Sequence, residues 1–354
     1  MPSSEKISRQ VLRIIDASLN RTGEGLRLLE DIARLSLNDT ALTQQLKTMR
    51  HDLTVVGSAF QQQLLGARDA EGDVGMDIEV PGKQKARELS STVMANARRV
   101  EESLRTLEEL AKVPAVASEL DSEKYKHARF ALYKIEQDLV SKIIRQDKAK
   151  RLRGLYVIID TQVLKGRSHL EVARQAIRGG AKTVQLRDKT TNKKELLSIA
   201  QGLKGLCAEH GALFIMNDYL DLAIASGADG LHLGQEDLPV EVARRLLPID
   251  VILGCSVTTL ELALVAESKG ADYIAVGSMY PTPSKETAVV VGLDMLRQIR
   301  QRVSLPLVAI GGITRDNAAE VRAAGADAVA VIRAVLDADR PEDAAREIVD
   351  RFEA

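Results

Sequence analysis

Eight short apolar runs recur between residues 155 and 332, at 155–159, 183–186, 212–216, 230–233, 251–254, 273–277, 307–310 and 328–332, with amphipathic, helix-like stretches between them. A chain written this way has few folds open to it. Runs so short and so apolar suit parallel strands buried on both faces, and each needs a crossover to reach the next. Several of the intervening segments close on Gly-Ala, at 180–181, 227–228, 270–271 and 325–326. Glycine there supplies the left-handed conformation that a tight return from helix to strand requires. Eight similar units in about 200 residues predict a closed (β/α)8 TIM barrel over an open doubly wound sheet.

Residues 1–147 follow a different grammar. Leu12, Ile15, Leu19, Thr22, Leu26, Leu29 and Ala33 advance by threes and fours, the stripe of a packed helix, and Val93, Ala97, Val100, Leu104, Leu107 and Ala111 repeat the spacing. A shift of 78 residues superposes Ala17 on Ala95, Arg21 on Arg99, Glu24 on Glu102, Arg27 on Arg105 and Glu30 on Glu108, and a shift of 79 superposes Lys47 and Arg50 on Lys126 and Arg129. This half is an internal duplication, two similar helix pairs joined by a glycine- and aspartate-rich loop at 66–75 and 81–82. The basic run Lys148-Ala149-Lys150-Arg151 marks the change of composition. The chain therefore divides into an all-α domain over 1–150 and an α/β barrel domain over 151–354.

A net charge of −1 over 354 residues gives no field directed at nucleic acid or an anionic membrane. No apolar segment reaches transmembrane length, and the N-terminus carries no signal-peptide run. Cys207 and Cys255 form no metal-type pair and read as reduced thiols, so a cytoplasmic location is expected. Oligomeric state stays open.

Six of the eight strand-like runs are followed by a polar cluster: Gln185-Leu186-Arg187-Asp188-Lys189, Asn217-Asp218, Gln235-Glu236-Asp237, Gly254-Cys255-Ser256, Thr282-Pro283-Ser284-Lys285 and Gly311-Gly312. The C-terminal face of a barrel is where active sites assemble. Asp218 and Asp237 suit one Mg²⁺, which keeps waters and rarely receives an all-protein cage; the plainer reading makes each the cap of a following helix. Arg187, Lys189 and Lys285 suit phosphate oxygens. Gly312 and the start of the helix after the last strand suit a second phosphate. His232, inside a strand-like run, reads as a core residue or as one supporting the site from behind rather than as a base. Arg21, Glu24, Arg27, Glu30 and their copies read as solvated intrahelical pairs or as a polar site shared between the repeats.

The series QLRDK, ND, GLHLGQEDL, GCS, PTPSK and IGG resembles the thiamine phosphate synthases over 154–350. The resemblance implies condensation of hydroxymethylpyrimidine diphosphate with carboxythiazole phosphate, giving thiamine phosphate, pyrophosphate and CO2. It implies Gln185, Leu186, Arg187, Asp188, Lys189, Asn217, Ser256 and Lys285 around the pyrimidine diphosphate, with Arg187, Lys189, Ser256 and Lys285 serving catalysis. It implies Asp218 and Asp237 on Mg²⁺, and Thr282, Pro283, Ser284, Gly312, Ile332 and Arg333 around the thiazole phosphate. Ser284 stands where the family carries threonine, and Arg333 where it carries serine. The segments DASLNRTGEGLRLLED and ANARRVEESLRTLEE resemble a helical domain fused to such synthases and associated with hydroxymethylpyrimidine phosphate kinase activity, which implies ATP as a partner of the first half. A thiazole tautomerase built on a similar barrel, and a non-catalytic binder of thiamine precursors, are the competing readings.

Overall fold

Both helical stripes of the first half turn inward: every residue named in them is buried. In the computed structural model, which describes residues 6–69, 88–282 and 289–354, the chain forms two units, Met1–Ile144 and Arg145–Ala354. The first contains α1 (Arg9–Asp31), extended by a π-helical turn (Ile32–Ser36), then α2 (Thr40–Thr54), α3 (Ser58–Ala67), α4 (Leu89–Leu110) and α5 (Ser122–Ala149). Gly66 and Ala67, expected in a loop, are the last turn of α3; positions 70–82 of that expected loop lie outside the described residues. The unit boundary falls inside α5.

The first helices of the two repeats, α1 and α4, pack on each other. A Cβ at Gly25 would stand 2.4 Å from Val100 Cγ2, so glycine is what lets the two helices approach at that point. Each repeat is then fastened by a buried carboxylate. Glu30 accepts from Arg50 Nε at 2.9 Å and Arg27 Nη1 at 3.4 Å, and Glu108 accepts from Arg129 Nη2 at 3.0 Å and Arg105 Nη1 at 2.8 Å. Burial pushes the Glu108 carboxyl up, but Arg129 and Arg105 outweigh it and hold it below its ordinary value.

The second unit is a closed parallel barrel in sequential order: β1 (Gly154–Asp160), β2 (Thr183–Arg187), β3 (Leu213–Asn217), β4 (Gly230–Leu233), β5 (Ile252–Val257), β6 (Tyr273–Gly277), β7 (Leu307–Ile310) and β8 (Ala328–Val331). Alternate residues fill the interior, among them Tyr156, Ile158, Ile215, Ile252 and Tyr273, while the others pack under the surrounding helices. A Cβ on Gly254 would come within 2.0 Å of the Tyr273 ring, so this glycine makes the room in which the tyrosine lies across the barrel. Among the described residues no helix is long and apolar enough to cross a membrane.

Three of the Gly-Ala returns continue into aspartate, and the same device appears each time. Asp229 accepts the Phe214 N–H at 3.0 Å, Asp272 the Leu253 N–H at 2.9 Å and Asp327 the Leu307 N–H at 2.8 Å. Each carboxylate also holds a cation, Lys204, Arg244 and Arg300 respectively. The device pins the start of one strand to its neighbour, and so fixes which side chains reach the far rim.

Candidate active site

Register brings the polar strand ends together on the C-terminal face. Asp160 pairs with Arg187 across β1 and β2, and Asn217 with His232 across β3 and β4. Arg187 Nη1 donates to Asp160 Oδ2, while Asp160 Oδ1 caps the next helix through the Gln162 N–H at 3.0 Å. One end of the guanidinium is thus anchored, and among the described residues its other N–H groups have no hydrogen-bond partner, so they are open to a ligand.

Asp218 sits just past β3 with φ +61°, in the left-handed region, its N–H donating to the His232 carbonyl at 2.9 Å. Asp237 is held from the neighbouring loop, where Oδ2 accepts the Gly234 N–H at 2.6 Å. The two carboxylates face each other. Burial, then a hydrogen bond with Asp237 and its charge, push the Asp218 carboxyl up to about 6, against the pull of Lys189 and Arg187. Lys189 Nζ stands 3.6 Å from Asp218 Oδ2. Two hard oxygen donors forced together, with a lysine in partial compensation, fit a divalent cation that would replace repulsion with shared coordination. Among the described residues no cluster of three or more potential metal-ligating side chains forms, so a cation here would take its remaining ligands from water or substrate.

A buried relay crosses the barrel beneath this rim. Gln185 Nε2 donates to Tyr156 Oη at 2.7 Å, and Tyr156 Oη lies 3.4 Å from Tyr273 Oη. Tyr273 Oη lies 3.0 Å from His232 Nδ1, and His232 Nε2 lies 2.9 Å from Ser256 Oγ. Burial pushes His232 down to about 4, so its ring is neutral at physiological pH. With Gln185 donating into the chain, each tyrosine passes its own proton onward. His232 Nδ1 is then assigned as acceptor and Nε2–H as donor to Ser256. The Ser256 hydroxyl proton is thereby left to point at a ligand. Tyr156, Tyr273 and Asp160 escaped the sequence reading, although a tyrosine inside a buried strand always demands a partner for its hydroxyl.

The other expected site residues fall in different settings. Leu186 is buried on the helix-facing side of β2. Asp188 is consumed locally: its carboxylate accepts the Thr190 and Thr191 N–H groups at 2.7 and 2.8 Å. Burial raises that carboxyl, but bonds from Thr161, Thr191 and Thr190 prevail and hold it well below the carboxylate range. Gly312 has φ +65°, and a Cβ there would meet Tyr280 Cβ and the Pro281 carbonyl at 2.7 Å, so the chain after β7 packs tightly on the loop after β6. Thr282 ends the described part of that loop; Pro283, Ser284 and Lys285 lie outside the described residues. Ile332 precedes the short helix Arg333–Leu336, and Arg333 Nη1 pairs with Asp337 Oδ2 at 3.0 Å. Cys255 is buried on β5, and burial pushes its thiol up to about 11.

Residues 155–335 match the model of the family described as thiamine monophosphate synthase, and residues 13–138 match the ThiD2 family. A protein of Thermosynechococcus vestitus named thiamine-phosphate synthase is 38% identical over 351 residues, spanning 99% of this chain and 97% of its own length. One of that name from Methanospirillum hungatei is 50% identical over 198 residues, covering 56% of this chain and 96% of itself. Among solved structures, thiamine phosphate pyrophosphorylase from Pyrococcus furiosus superposes with a TM-score of 0.54 at 43% identity, over 58% of this chain and 97% of its own.

Proposed function

The chain belongs to the thiamine monophosphate synthase family of transferases, and from that premise we propose how its own residues carry the reaction. The barrel joins hydroxymethylpyrimidine diphosphate to carboxythiazole phosphate. The bond from the pyrimidine methylene carbon to the diphosphate oxygen breaks, and its electron pair leaves with pyrophosphate. The thiazole nitrogen then bonds to that carbon, and the thiazole carboxylate departs as CO2. A dissociative step of this kind needs no general base, in keeping with a site whose histidine is neutral and tied between Tyr273 and Ser256.

The observation that carries the reading is the opposed pair Asp218 and Asp237 beside Lys189 and Arg187. The two carboxylates would hold one Mg²⁺, which when bound neutralises the leaving diphosphate. Arg187, steadied by Asp160, and Lys189 grip the diphosphate oxygens, with Lys285 assigned the same task from the loop after β6. Gln185, Asn217 and Ser256 orient the pyrimidine. Because Arg333 is engaged with Asp337, the thiazole phosphate is assigned to the backbone N–H groups of Gly312 and the Ile332-Arg333 turn, with Thr282 and Ser284 alongside. The first unit, in the same reading, phosphorylates the pyrimidine monophosphate with ATP, yielding ADP and the diphosphate that the barrel consumes.

Asp218→Ala tests the metal pair. The variant is expected to lose turnover of the pyrimidine diphosphate by more than about a hundredfold while keeping the wild-type circular dichroism spectrum. Wild-type rates in a folded variant would refute the assignment.

A further inference from the structure

A cleft of about 610 Å³ opens between α1 and α4, and its lining obeys the sequence duplication. Arg21 and Arg99 face into it, as do Glu24 and Glu102, and Ser18 and Asn96. The remaining lining residues, Gly25 with Ser103 and Leu28 with Thr106, are again separated by 78. The cleft is therefore made of five equivalent positions contributed twice. The reason is that α1 and α4 are the equivalent helices of the two repeats and pack on each other, so whatever the cleft binds meets each of these positions twice.

The charges in it behave unlike their neighbours. Arg27–Glu30 and Arg105–Glu108 stand three apart on the same helices and pair at 3.4 and 2.8 Å. Arg21–Glu24 and Arg99–Glu102 have the same spacing, yet among the described residues none of these four side chains makes an ion pair. Ser18 is 2% exposed, and its main-chain carbonyl accepts from Thr22 Oγ1 at 2.9 Å, so it forms the floor of the cleft on the α1 side. Two cations and two anions, all exposed to solvent and none in an ion pair among the described residues, thus line one cleft together.

We infer that this cleft binds a phosphate ester of an aminopyrimidine. Guanidinium groups grip phosphate oxygens in pairs. A polyphosphate alone would be repelled by Glu24 and Glu102, so the ligand must also bring N–H donors for the carboxylates, which an exocyclic amine supplies. The volume lies within the range of small-molecule sites, roughly 300–1,000 Å³. Naming the ligand a pyrimidine rests on the reading that this unit acts on hydroxymethylpyrimidine phosphate; the cleft itself does not.

The test is equilibrium dialysis of the full chain with radiolabelled hydroxymethylpyrimidine monophosphate, and separately with inorganic phosphate. Pyrophosphate release by the barrel from the diphosphate serves as the control for folding. The double variant Arg21→Gln/Arg99→Gln is expected to bind the monophosphate at least about tenfold more weakly, with barrel turnover unchanged. Glu24→Gln/Glu102→Gln is expected to weaken the monophosphate but not inorganic phosphate. Wild-type binding in both double variants overturns the cleft, even where ATP-dependent phosphorylation of the monophosphate persists. Arginine-dependent binding without any such phosphorylation upholds the cleft and refutes the kinase reading instead.

Discussion

Glu101 on α4 has a buried carboxylate oxygen, Oε1, with no hydrogen-bond partner among the described residues. Burial and then the charge of Glu136 push its carboxyl above the ordinary value, against Arg98 and Arg129. A carboxyl raised in the folded state binds its proton more tightly there than in the unfolded chain. That contribution is fully present below the unfolded value, and it is lost as pH rises through the folded one. Glu101→Gln keeps the shape and removes the charge, so its melting temperature should exceed wild type at pH 7.5, with the gain vanishing near pH 4. A lower melting temperature at pH 7.5 would show that the charge is compensated. Spacing alone did not separate Arg21–Glu24 from Arg27–Glu30, since both are three apart on α1. The difference comes from Arg50, twenty positions on, which claims Glu30 and leaves Glu24 to the cleft. The relay through Tyr156, Tyr273, His232 and Ser256 was hidden for the same reason, because its links span between 24 and 117 residues of sequence. At Asp188 the local role was legible: threonines two and three positions beyond an aspartate are the signature of a side chain that closes its own turn.

At the scale of elements the sequence was far more legible. The period of the apolar residues located α1 and α4 and all eight strands, because a buried stripe or a buried run is a local property. The Gly-Ala returns were visible too, but their physical point was the aspartate that follows. Asp272 accepts from the Leu253 N–H and also from Arg145 Nε at 3.0 Å and Arg244 Nη1 at 3.1 Å, with all three side chains largely buried. Asp272→Ala strands two guanidinium groups and a strand N–H together. The expected loss in urea-monitored unfolding is about 3–5 kcal/mol, the scale of breaking one side of a buried ion pair. Asp229→Ala, whose partner Lys204 reaches solvent more freely, should cost distinctly less. Equal losses at the two sites would show that the strand N–H bond, common to both, is what matters.

The whole chain couples two architectures that sequence separates by grammar alone, a duplicated helical unit and a barrel. In the proposed reading they act on consecutive states of one pyrimidine. The consequence is an assay on the intact protein. Given pyrimidine monophosphate, ATP, Mg²⁺ and carboxythiazole phosphate, the chain should form thiamine phosphate without any added kinase. Given the pyrimidine diphosphate instead, it should form the same product with ATP omitted. The variants divide the two routes. Arg21→Gln/Arg99→Gln should abolish product from the monophosphate and leave the diphosphate route intact, whereas Asp218→Ala should abolish both, since each ends at the barrel. Product from the diphosphate alone would keep the barrel chemistry and remove the kinase from the helical unit. Product from neither would return attention to the rim after β8, where the Arg333 guanidinium pairs with Asp337.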